Sequence, residues 1–165
     1  MKRFLIVLIM ICFVCGISFA ADVVEGFWLS VDEKTGKVTA GWHVYQQNNK
    51  LYGIILSSAD GTPDELATKV KESYAGFPLP GKVNQMKVNG TPWIFGLSMD
   101  KPGEWSGGNI IDPQDGKMYK CKIIFRTADG KKYKTDVLEM RGEIGLGIGR
   151  SQFWQRTDES TAGSL

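Results

Sequence analysis

Beyond about residue 21 the chain is a succession of short apolar stretches, rich in Val, Ile, Tyr, Phe and Trp and cut at regular intervals by Gly, Asn, Asp and Pro. Such punctuation predicts antiparallel strands joined by turns. Eight strands are expected, over 26–31, 37–46, 50–57, 93–98, 104–111, 117–127, 131–141 and 150–157. The sixth shows the pattern best, because Tyr119, Cys121, Ile123 and Phe125 share one face while Lys120, Lys122 and Arg126 share the other. One side of each strand is therefore core and the other wet. An eight-stranded antiparallel sheet of this kind hides its edges most simply by closing. The expected fold is mainly β: an antiparallel eight-stranded closed barrel with one short helix and a long insert between strands 3 and 4. The interior of such a barrel is either filled by side chains or holds one small ligand, and that fork decides the class of function.

The insert begins with Thr62-Pro63-Asp64-Glu65, an N-cap, a proline at the first helical position and a glutamate placed to complete a capping box. This predicts a short helix to about Tyr74, with Leu66, Val70 and Tyr74 recurring every four residues as its apolar stripe. Gly76-Phe77-Pro78-Leu79-Pro80-Gly81 then rules out regular structure, and the connection runs on to Gly90-Thr91-Pro92. The segment is expected either to cover a barrel mouth as a lid or to close the core as an end-plug.

Residues 1–20 read differently. Lys2 and Arg3 precede an apolar run, and Ser18-Phe19-Ala20 supplies small residues before a cleavage point, the pattern of a signal peptide. The run is shorter than the roughly 20 residues a spanning helix needs, so no stable membrane anchor is expected after cleavage. Cys12 and Cys15 follow Ile11 and Val14 rather than a small residue, which excludes a lipoprotein signal. The expected product is exported, to the periplasm or outside the cell, as a single barrel domain over 21–157 with a disordered tail at 158–165.

Composition matters once the leader is removed. Of the 20 cations only Lys2 and Arg3 leave with it, so 18 remain to balance the 18 acids. A neutral domain without a basic stripe lacks the electrostatic footprint of a nucleic-acid binder. Two of the three cysteines also leave, and Cys121 alone closes no intrachain disulfide.

The inventory for catalysis is thin. His43 is the only histidine, sharing a strand face with Gly41 and Tyr45, and no G-x-S-x-G nucleophile elbow occurs. One histidine does not make a zinc site. Asp112-Pro113-Gln114-Asp115-Gly116 lacks the alternating carboxylates of a calcium loop and reads as a hairpin turn. Gly142, Gly145, Gly147 and Gly149 lack the strand-to-helix context of a phosphate loop and read as a bulged corner. No catalytic residue, metal or cofactor is expected. Five tryptophans in so small a domain leave Trp42, Trp93 and Trp105, with His43, Phe77 and Tyr119, as candidate ligand-binding residues.

Two further segments carry a resemblance. Trp105-Ser106-Gly107-Gly108-Asn109-Ile110-Ile111-Asp112-Pro113-Gln114-Asp115-Gly116-Lys117-Met118-Tyr119, and the stretch from Arg141-Gly142 to Gly149-Arg150-Ser151-Gln152-Phe153-Trp154, resemble a bacterial exported family known only as domain of unknown function 2147. That family opens with G-x-W, matched by Gly26-Phe27-Trp28. Its motifs have no assigned chemistry, and its usual N-P and R-x-R-P-L elements are not recognisable between Ser58 and Trp93. Gly26-Phe27-Trp28 also resembles the lipocalin signature, which implies that Trp28 plugs the barrel base beneath a late arginine, Arg156 or Arg150. The expected function is non-enzymatic binding of a small apolar molecule. The alternative is an envelope-associated structural or interaction protein with a filled barrel that binds a protein or glycan. An enzyme built on His43 with Glu139 or Asp136 ranks third.

Overall fold

The computed structural model describes residues 21–165, so the signal peptide expected at 1–20 lies outside the described residues. Eight antiparallel strands follow in chain order: β1 Gly26–Val31, β2 Val38–Gln47, β3 Lys50–Ser58, β4 Pro92–Lys101, β5 Glu104–Ile111, β6 Met118–Arg126, β7 Val137–Gly145 and β8 Ile148–Thr157. Each pairs with its neighbour in sequence, and β1 pairs with β8 through Phe27–Thr157, Trp28–Arg156 and Leu29–Gln155, which closes the barrel. Closure satisfies both edges that an open sheet would leave exposed.

Turn chemistry explains most connections. Asn48 and Asn49 both adopt positive φ, 50° and 58°, the conformation a two-residue hairpin demands and asparagine tolerates. Asp32 accepts the N–H groups of Lys34 and Thr35, and Asp112 accepts that of Gln114, so each aspartate holds its own turn. The seventh strand starts at Val137 rather than at 131, because Asp129 draws the N–H groups of Lys131 and Tyr133 into a loop. It also runs further than expected. Pairing continues through Gly142–Arg150, Glu143–Gly149 and Gly145–Ile148, so the glycines expected to form a bulged corner instead belong to a long hairpin with one bulge. Gly149 permits this, since a Cβ there would sit 2.3 Å from the Gly142 carbonyl oxygen.

The base of the barrel, where the chain enters, is filled by Trp28, Val44, Leu51, Leu97, Trp105, Ile123 and Leu138, all buried. Cys121 is buried with them, and burial alone pushes its thiol far up. Native protein is therefore expected to resist alkylation at Cys121 at pH 8, with modification appearing only as the barrel unfolds. Rapid labelling of native protein, followed by mass spectrometry, would contradict this packing.

Two expectations need correcting. No helix forms at Thr62 to Tyr74: the Glu65 N–H reaches the Thr62 carbonyl, but the Ala67 N–H then turns to Met86 O and the Val88 N–H to Glu65 O. Backbone groups that a helix would pair locally are thus taken by the returning strand-like segment, and Leu66 of the expected stripe is exposed. The α-helix is instead the turn α1, Glu159–Ala162, in the tail expected to be disordered. Asp158 caps it by accepting the Thr161 N–H at 2.8 Å, and Ser57 donates to the Ala162 carbonyl at 2.6 Å. Gly41 makes room, since a Cβ there would lie 1.9 Å from that carbonyl oxygen.

Candidate functional site

The inward positions of successive strands converge on a cleft of about 940 Å³ that enters the barrel from one end. That end carries the exit of β3, the β5–β6 turn with Pro113 and Gln114, and the β7–β8 hairpin with Ile144 and Ile148. The floor is a pair of stacked indoles, Trp42 from β2 and Trp154 from β8, with ring centroids 4.7 Å apart and planes at 27°. Ile55, Val88, Ile110, Met140 and Tyr119 form the walls. Both indole N–H groups are satisfied within the protein, Trp42 donating to Ser30 Oγ at 3.2 Å and Trp154 to Gln152 Oε1 at 3.0 Å. Trp42 keeps 6% of its surface exposed and Trp154 none, so the pair backs the cleft as packed aromatic core, with Trp42 the ring nearer an occupant. Polar groups gather at the rim, where Asp60, Glu65, Lys69, Asp112 and Arg150 contribute. An apolar floor under a mixed polar rim suits a small molecule with an apolar body.

The opposite end is shut. Arg156 places its guanidinium carbon 4.2 Å from the Trp28 ring centroid and 5.7 Å from that of Phe125. Its two terminal nitrogens donate to the Glu25 and Val23 carbonyls. Trp28 Nε1 donates to the Val24 carbonyl at 3.0 Å, and the Asp22 carboxylate accepts the Gly103 N–H, so residues 22–25 are strapped across the base. Burial lowers the Arg156 pKa from its ordinary value while the Asp136 carboxylate opposes this, and so weakly hydrated a cation suits an aromatic face. Arg150, the other arginine weighed for this position, stands at the mouth and pairs with Glu33 at 3.2 Å.

Only two of the six candidate ligand-binding residues, Trp42 and Tyr119, line the cleft. Trp105 pairs across the ladder with Ile123 and lies in the filled base. Trp93 donates to the Val88 carbonyl and meets Phe77, with centroids 6.5 Å apart, on the side of β4 covered by the insert. Phe77 also stands edge-on to Phe95 at 5.4 Å. The insert is accordingly neither lid nor end-plug: it packs along the barrel through these rings and supplies one side wall of the cleft through Glu65, Lys69 and Val88. Its Tyr74 hydroxyl donates to the Gly116 carbonyl at 2.7 Å, tying it to the β5–β6 turn.

His43 points to the outside of the barrel, stacked on Phe27 at 4.7 Å and beside Tyr45 at 5.3 Å. The carboxylates considered for it are engaged elsewhere. Burial raises the Glu139 pKa, but hydrogen bonds from Ser151 and Arg126 more than offset this and hold it below the ordinary value. Asp136 accepts the Ala128 N–H. Moreover β1 and β8 separate β2 from β7, so His43 and Glu139 do not meet.

Trp154, Gln152, Met140, Ile55 and Ile110 also belong to the cleft, and strand alternation points to some of them. Positions 150, 152, 154 and 156 share one face of β8, and Arg156 at the base puts Trp154 and Gln152 inside with it.

No curated protein matches the sequence. Among solved structures, a chain titled "Protein HP1028 from the human pathogen Helicobacter pylori belongs to the lipocalin family" superposes with a TM-score of 0.62 at 17% identity, over 83% of this chain and 84% of that one. At that identity the likeness speaks for the fold, a lipocalin-like barrel. The model of a family described as "Uncharacterized protein conserved in bacteria (DUF2147)" matches residues 26–156, from the first strand to the arginine of the base. Built on a closed eight-stranded barrel with one end shut and an aromatic-floored cleft at the other, this chain belongs to the DUF2147 family.

Proposed function

We propose that this protein is an exported, non-enzymatic binder that holds one small, mostly apolar molecule in the barrel cleft. The observation that carries the reading is the cleft of about 940 Å³ at one end of the barrel, backed by the packed Trp42–Trp154 pair. A barrel that served only as a scaffold would gain stability by filling that space. Export to the periplasm is part of the proposal and rests on the charged start, apolar run and small-residue end of residues 1–20. The test is native mass spectrometry of the protein recovered from its host's envelope, compared with the same sample after denaturing release. A reproducible extra mass is expected. A bare mass, with no apolar probe entering the cleft, would instead favour an interaction protein.

That second reading draws on a different surface. Phe27, His43, Tyr45 and Tyr52 form a half-buried aromatic row on the outer face of β1 to β3, where an envelope protein or a glycan could bind. It predicts that the barrel itself carries nothing.

A further inference from the structure

The tip of the β7–β8 hairpin is built against the interests of the fold. Ile144, Leu146 and Ile148 are 72%, 102% and 62% exposed, more than any other large apolar side chain among the described residues. Leu146 also adopts a left-handed φ of 49° between Gly145 and Gly147, where asparagine or glycine is at ease and leucine is strained. Strain and exposure coincide at one residue with no packing return, and such a combination persists where it serves a function.

The geometry points to this tip as a bilayer-docking prong that sets the cleft mouth against a lipid surface. Its size argues for a bilayer. Three aliphatic side chains on a protruding turn fall well short of the roughly 800 Å² per partner that a stable protein interface buries. A bilayer accepts single aliphatic side chains as they enter it. The tip is also continuous with the cleft, because Ile144 and Ile148 belong to both, and Met118, 40% exposed, flanks Ile144. Arg141 and Arg150 stand behind the tip, at the level a head-group layer would occupy. Each is already paired, Arg141 with Glu143 at 2.7 Å and Arg150 with Glu33 at 3.2 Å, so the docking is apolar and tolerant of salt. Resting on the ligand-binding reading, the prong's purpose is transfer: a molecule with little solubility in water passes between bilayer and barrel without crossing solvent.

Leu146→Asn removes the apolar tip while favouring the observed backbone. The protein purified from its host's envelope and stripped of any bound molecule is mixed with sucrose-loaded vesicles of phosphatidylethanolamine and phosphatidylglycerol and sedimented. The wild type is expected to pellet to a similar extent at low and high salt. Leu146→Asn, and separately the double variant Ile144→Thr with Ile148→Thr, are expected to reduce pelleting at least fivefold. The melting temperature of Leu146→Asn should equal or exceed the wild type's. Docking is overturned if the wild type stays in the supernatant, if Leu146→Asn pellets equally well, or if pelleting vanishes with salt. A concentration-dependent dimer that Leu146→Asn abolishes would overturn it too, making a second copy the occupant. Uptake of 1-anilinonaphthalene-8-sulfonate without vesicles separates the two readings. If the wild type pellets but takes up no probe, docking stands and the ligand reading falls; if it takes up probe but does not pellet, the reverse holds.

Discussion

Trp28→Ala is expected to destabilise the barrel by about 3–5 kcal/mol, the range for removing a buried indole, and to lower its melting temperature by roughly 10 °C. The side chain is fully buried, holds the Val24 carbonyl through its indole nitrogen, and lies beneath the Arg156 guanidinium. Its loss therefore leaves both a void and an unstrapped base. Arg156→Ala is expected to do less, about 1–2 kcal/mol, because a cation over a partly desolvated ring contributes on that order. Arg156→Lys should recover little, since an ammonium lacks the planar fork that meets the ring and two carbonyls together. Thermal unfolding followed by near-ultraviolet circular dichroism reads all three. A loss below about 1 kcal/mol for Trp28→Ala would mean that the base is not where the fold is tied.

The second large effect concerns the cleft. Ala40 lies on β2 opposite Ser30 and Ser58, nearly buried, and lines the cavity beside Trp42. Ala40→Phe places a ring in that space and is expected to weaken binding of an apolar fluorescent probe at least tenfold, which corresponds to about 1.4 kcal/mol. Overpacking should itself destabilise by roughly 1–3 kcal/mol, leaving the protein folded at room temperature. Trp154→Ala should weaken binding too, but it deletes a fully buried indole, so Ala40→Phe separates binding from stability more cleanly. His43→Ala, on the outer face, is the control and should bind as the wild type does. Unchanged binding by Ala40→Phe would place the probe outside the barrel.

Local chemistry made much of this architecture readable in advance. Tyr119, Cys121, Ile123 and Phe125 announce the sixth strand through alternation, and Asn48-Asn49 announces a tight hairpin because asparagine accepts the backbone that turn requires. Alternation fails where both faces of a strand are covered. In β4, Trp93, Ile94, Phe95 and Leu97 are all buried, because the insert lies on one face and the barrel interior on the other. No period in the sequence says which face belongs to the cleft, and Trp93, expected there, packs against the insert instead.

The helix expected after Thr62 fell to the same cause. Its capping pattern is real, but the partners that outbid a local turn, Met86 and Val88, lie some twenty residues further along the chain. The tail shows the reverse case, since Asp158 and its neighbours carry little beyond a cap, and only contact with Gly41 and Ser57 orders them.

By itself the sequence determined that eight strands exist, their order and the closed barrel, because alternation and turn residues act over a few neighbours and leave eight strands little choice but to close, whereas the Trp28 base followed only from the resemblance to lipocalins. Tertiary structure alone decided that the insert lies along the wall, that Trp42 stacks on Trp154 at the bottom of the cleft, and that the β7–β8 tip stands exposed at its rim. These depend on which distant surfaces meet, and burial, unlike a turn, is a property of the partners a residue finds rather than of its neighbours in the chain.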